Sequence, residues 1–150
     1  MVTVAAACLT VIAAAPTAAS ATASRDEYAH QADPVCSATD QASKRQFARF
    51  VKADRHLRFH AAGNALAAIG TNIASGNAKL RLIAPFPGDE ARISQWLGIW
   101  DQIAHTWNPL AASAYRLGEY KRLGNLFRQI NRLAATARNL VSDYPFRSCA

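Results

Sequence analysis

No lysine, arginine, aspartate or glutamate occurs before Arg25. That absence excludes a solvated N-terminal segment and leaves an apolar run from Val2 to Ala15, then small residues with Pro16, the form of a secretory signal peptide. The run is shorter than the about 20 apolar residues that span a bilayer. Signal peptidase reads small side chains, which Ala19-Ser20-Ala21 and Ala21-Thr22-Ala23 supply, and cleavage is predicted after Ala23. The basic residues that normally precede such a run are missing too, which predicts a start codon upstream of Met1. Beyond the leader no apolar stretch reaches membrane-spanning length.

Cysteine is scarce, with three in 150 residues, and no Cys-x-x-Cys or Cys/His cluster exists to hold a metal. Cys8 follows "AAA", a poor copy of a lipid-modification box, and Leu9, Val11 and Ile12 continue the apolar run beyond it. It is read as discarded with the leader. Cys36 and Cys149 remain, and an even pair in an exported chain predicts a disulfide, because the compartment beyond the membrane is oxidising.

Catalytic signatures are also absent. The chain has no Gly-x-Ser-x-Gly elbow, no phosphate-cradling glycine loop and no Cys-His nucleophile pair. Acids number only ten, and the adjacent Asp89 and Glu90 would point in different directions from a helix start, unlike the facing carboxylates of a glycosidase. His56 and His60, four apart, have the spacing that could hold a transition metal from one helical face. The glutamate of His-Glu-x-x-His is missing, with Leu57 in its place, and no third ligand is evident, so the pair is read as surface. His30 and His105 are isolated. The chain is therefore expected to be no enzyme and to carry no cofactor or metal.

What is present is helical pattern. Residues 24–150 have the length of one domain, with neither strand runs nor a repeat. Ser24-Arg25-Asp26-Glu27 has capping-box form and predicts a first helix over 25–53, kinked at Pro34. Ala61, Ala65, Ile69, Ile73, Leu80 and Ile83 continue from Leu57 at helical spacing, in a second helix that Gly63, Gly70 and Gly76 should weaken. In "PFPGDEARISQW", Pro85 and Pro87 stop that helix, Gly88 permits a turn, and Asp89 and Glu90 suit the positive end of the next helix. Trp96, Trp100, Ile103, Trp107, Leu110, Ala114 and Leu117 alternate by four and three, the seam of a third helix, with a bend placed at Pro109. After the corner Leu117-Gly118-Glu119, the fourth helix repeats the spacing from Tyr120 through Leu123, Phe127, Ile130, Ala134 and Ala137 to Val141. The expected fold is an all-α, up-and-down four-helix bundle tied by one disulfide.

"DEYAHQADPVC", "APFPGDEARISQWL" and the cysteine near the C-terminus together resemble a group of small exported actinobacterial helical proteins. The likeness covers nearly the whole mature chain. It implies a secreted or envelope-bound protein with paired Cys36 and Cys149, and it carries no catalytic or binding residue over. Relatives in the group carry a lipid-modification box, which "AAAC" matches badly.

All 17 lysines and arginines lie beyond the leader, and the net charge is +7. Arg45, Arg49, Lys52, Arg55 and Arg58 fall along one sector of the first segment, and Lys121, Arg128 and Arg132 lie opposite the seam of the fourth. Such stripes attract anionic envelope lipid or acidic polymer. Nucleic acid is not expected as a partner, because export separates the chain from it and no recognition motif occurs. The function expected is non-enzymatic binding at the bacterial cell envelope. The alternative is a carrier of an apolar ligand, lipid or haem, in a pocket beside Trp96, Trp100 and Trp107. An apolar cavity there would favour it.

Overall fold

A computed structural model describes residues 24–149, and the leader and Cys8 lie outside them. The described residues are all-α, with α1 over Arg25–Arg55, α2 over Phe59–Leu80, α3 over Glu90–Gln102, α4 over Asn108–Arg116 and α5 over Tyr120–Leu140. A π-helical turn, Ile103–Trp107, joins α3 to α4 without a break, so the chain forms four helical rods.

Ser24 starts α1 as predicted, its hydroxyl accepting from the Glu27 amide at 3.0 Å. The helix runs through Pro34 without ending. The corner after it differs from expectation. Leu57 is not the first inward position of α2 but an exposed residue at φ 54°, between the two helices. His56 caps α1 and His60 lies in the first turn of α2, so the two imidazoles do not share a helical face.

The glycines of α2 are contact points as well as weak ones. A Cβ on Gly63 would lie 2.9 Å from the Ala112 carbonyl oxygen, and one on Gly70 would lie 2.8 Å from that of Ala104. Only hydrogen at these positions lets α2 press so closely on α4 and the π-turn.

The π-turn also explains a register error in the predicted seam. Asn108 donates its amide to the Ile103 carbonyl, five residues back, just before Pro109, which has no amide to give. One extra residue in that turn moves the inward face along by one. Asn108, Ala111 and Tyr115 are buried next to the expected Trp107, Leu110 and Ala114, of which Trp107 and Leu110 are only partly buried and Ala114 is buried as predicted, while Leu117 is 67% exposed.

Two apolar clusters result. One surrounds Tyr28, Trp96, Val141 and Tyr144 with the disulfide. The other surrounds Leu66, Ala112, Tyr115 and Leu123, and takes in Trp107. Cys36 and Cys149 are bridged, with sulfur atoms 2.06 Å apart. Beside the bridge, the Asp33 carboxylate accepts from the amides of Arg147 and Ser148 at 2.8 to 3.1 Å, holding the tail on α1.

Candidate functional site

The punctuated corner is structural, in a different way from that expected. Asp89 makes no side-chain cap on α3. It turns inward and accepts from Arg25 Nε at 2.7 Å, Arg92 Nη2 at 2.6 Å and the Tyr144 hydroxyl at 2.7 Å. Arg25 and Arg92 also reach Asp143 at 2.8 and 2.9 Å. Hydrogen bonds from Arg25, then from Tyr144 and Arg92, hold the Asp89 carboxyl well below the usual carboxylate range, while burial, then Asp89, pushes the Tyr144 hydroxyl up to about 12. Each charged group here binds another member of the cluster, so the arrangement ties α1, α3 and the tail together, although Arg92 Nε and the nearby Tyr28 hydroxyl find no partner. Glu90 accepts from the Gly88 amide at 2.8 Å. Among the described residues, no group of three or more His, Cys, Asp or Glu could hold a metal.

At the opposite end of the bundle, two corners meet. Tyr115 packs its ring at 5.1 Å from Phe50 and 6.0 Å from Phe59, both of the α1–α2 side, and at 6.2 Å from Tyr120 of α5. Its hydroxyl donates to Asp54, and the pKa of that hydroxyl is pushed up to about 12 by burial first and then by that carboxylate. The corner holding Leu57 and the corner holding Leu117 therefore flank one aromatic centre.

The predicted basic residues run from this end along α1 and α5, Arg55 and Lys121 beside the corners and Arg45 and Arg132 several turns away. Arg45, Arg49, Lys52, Arg55 and Arg58 are all exposed, as are Lys121, Arg128 and Arg132, and none of them belongs to an ion pair among the described residues. The half of the bundle built from residues 45–69 and 108–132 carries ten of the 17 cations and two of the ten acids, a net +8. The other half holds seven against eight, a net −1. Sequence reading found the stripe but not this polarity, which needs the two corners placed side by side.

It also missed the apolar company of those charges. Five large apolar side chains are exposed among the described residues, and four of them are at the basic pole: Leu57 at 72%, Leu117 at 67%, Tyr120 at 56% and Phe47 at 55%. Leu82 is the fifth, in the α2–α3 corner. Leu57 and Leu117 are the tips of their corners, flanked by Arg55, Arg58, Arg116 and Lys121.

The three tryptophans do not form one site. Trp96 is buried and stacks on Phe146 with ring centres 5.6 Å apart, and Trp100 packs beside it. Trp107 has gone to the other cluster. Where the two clusters fail to meet, a cleft of about 270 Å³ opens, lined by all four rods with Thr39, Ser43, Ile69, Ile73, Trp96 and Trp100 on its walls. The cause is legible in α1, where no large apolar residue occurs from Cys36 to Gln46. Its backbone comes within 8 Å, Cα to Cα, of no helix except α2.

No helix among the described residues is long and apolar enough to cross a membrane. Compared with known proteins, the chain matches no family model, no curated protein and no solved structure.

Proposed function

We propose that this is an exported bacterial protein that loses residues 1–23 and acts without catalysis, docking its basic pole on an anionic bilayer surface. The exported actinobacterial kinship and the up-and-down order of the rods belong to the same proposal. They are supported by the leader's composition, the quoted motifs and the short corners.

One observation carries the reading: the exposed apolar side chains sit inside the cationic field rather than away from it. Charge alone would suit any polyanion. An acidic glycan, however, offers nothing apolar for Leu57 and Leu117, whereas a bilayer offers its acyl boundary beneath a layer of phosphates. Each lysine or arginine near an anionic membrane contributes about 1 kcal/mol, and each leucine side chain withdrawn from water contributes about 1.5 to 3 kcal/mol.

Leu57 adds a second support. A leucine at φ 54° costs about 1 to 2 kcal/mol relative to a glycine, which has no Cβ to clash. A corner selected only for folding would hold Gly or Asn there.

The test is co-sedimentation of the chain from Ser24 onward, which contains both clusters and the bridge, with phosphatidylglycerol vesicles and with phosphatidylcholine vesicles. Binding is expected to the anionic vesicles alone and to fall as salt shortens the Debye length to about 8 Å. The double variant Leu57→Ser, Leu117→Ser should bind at least tenfold more weakly. Unchanged binding of that variant would refute membrane docking and leave an acidic polymer as the partner; no binding at low salt would refute both.

A further inference from the structure

The geometry points to the cleft between the clusters as a binding site for a small amphiphile of about ten non-hydrogen atoms in all, an apolar body with a carboxylate head. This goes beyond the docking of the basic pole and does not rest on it.

Size comes first. A cavity of about 150 Å³ lined by apolar side chains takes benzene, so about 270 Å³ accommodates on the order of eleven non-hydrogen atoms by the same scale. A medium-chain fatty acid fits that space; a haem is several times too large. The walls match the apolar body, with Ile69, Ile73 and Leu80 from α2 facing Trp96 and Trp100 from α3.

The polar groups decide the head. Among the lining residues, the Ser43 hydroxyl and the Trp96 indole N–H are buried with no hydrogen-bond partner. Leaving a buried donor unmet is costly, about 1 to 3 kcal/mol each; neither atom has accessible surface in the cleft, so an acceptor gains them only as the two side chains turn toward it. Arg138, exposed on the rim, makes no ion pair among the described residues. The lining carboxylate, Asp40, is already held by Lys44 at 2.6 Å, and Asn77 donates to the Leu97 carbonyl at 3.0 Å and to Asp101 at 2.8 Å. Acceptor oxygens remain on Thr39 and Asn77, so it is the Arg138 cation, with the donors of Ser43 and Trp96, that favours an anionic head.

The fold supplies a reason for the space to persist. Filling it would need large side chains on the middle of α1, and Thr39 and Ser43 stand there instead. Thr39 in turn is pinned, donating to the Val35 carbonyl at 2.9 Å and packing against Gly76, where a Cβ would lie 2.3 Å from its hydroxyl oxygen.

The experiment uses octanoate and 1-octanol as probes, added to the chain from Ser24 onward, with tryptophan emission and thermal melting as readouts. Octanoate should change the emission saturably and raise the melting temperature. Ser43→Leu, which occupies the cleft, should abolish both effects. Trp107→Phe should keep the emission response, and Trp100→Phe should lose most of it. Arg138→Gln, a surface change that spares the core, should weaken octanoate two- to fivefold, the worth of an exposed ion pair, and leave octanol unaltered. The proposal is overturned if octanoate gives no saturable response, if a folded Ser43→Leu still binds it, or if Arg138→Gln affects both probes equally.

Discussion

Breaking the Cys36–Cys149 bridge tests how the ends of the chain are held. The bridge spans 113 positions, and in the chain-entropy description a loop of that length removes about 4.8 kcal/mol of freedom from the unfolded state. The 126 described residues, at about 2.1 cal/mol/K each, give an unfolding entropy of about 0.26 kcal/mol/K near 60 °C. The ratio sets a ceiling of about 18 °C on the loss of melting temperature. Residual structure in the unfolded chain lowers the effect towards the usual 2 to 4 kcal/mol, so Cys36→Ala and Cys149→Ala should each melt about 8 to 18 °C below the bridged protein. Cys149 is buried in the cluster and Cys36 only half-buried, which makes the Cys149 variant the lower of the two by a small margin. Helical circular dichroism at 20 °C should be unchanged, because the clusters persist and Phe146 keeps its stacking between Trp96 and Tyr144, at 5.6 and 5.2 Å. Melting is followed by circular dichroism and free thiols by titration. Two free thiols in the oxidised protein, or a fall under 3 °C in both variants, would refute the reasoning.

Three further outcomes follow from particular contacts. Gly70→Ala should destabilise by about 1 to 3 kcal/mol, since its Cβ would press on the Ala104 carbonyl, while Gly98→Ala, with nothing within 4 Å, should stabilise by about 0.5 to 1 kcal/mol; urea unfolding compares them. Because Asp89 is held below its ordinary pKa of about 3.9, its contribution is present above that pH and lost as pH falls through the depressed folded value. Melting should accordingly steepen below about pH 4, and Asp89→Asn should flatten that acid limb. Leu57→Gly should raise stability by about 1 kcal/mol by relieving the left-handed backbone, yet weaken binding to anionic vesicles; stronger or equal binding would remove the functional reason given for that residue.

The helices and two of their three corners were legible because apolar spacing, caps and prolines are local signals; the corner at Leu57 was read as helix. Ser24, Gly88 and Gly118 act where the sequence put them, whereas α2 ends at Leu80, before the expected Ile83 and well short of Pro85. The register of the third rod was not legible, because an unbroken four-three alternation from Trp96 to Leu117 gives no sign of the extra residue taken up before Pro109. That single turn separates Trp107 from Trp96 and Trp100 and turns Leu117 outward, which altered both candidate sites. Asp89 was misjudged for a similar reason: its partners Arg25 and Tyr144 lie 64 and 55 residues away, and only folding reveals that a helix-start acid is instead a buried anchor. The basic stripe was visible in α1, but its concentration at one pole depends on the α4–α5 corner folding beside it.

The pole's contact with lipid is tested most directly by depth. A tryptophan placed at the tip of the α4–α5 corner, Leu117→Trp, and one in the corner at the far pole, Leu82→Trp, each add a reporter to the native emission. With anionic vesicles carrying brominated acyl chains, the account predicts that the added emission of Leu117→Trp is quenched and that of Leu82→Trp is not. Equal quenching of the two, or quenching at neither, would contradict docking through the basic pole.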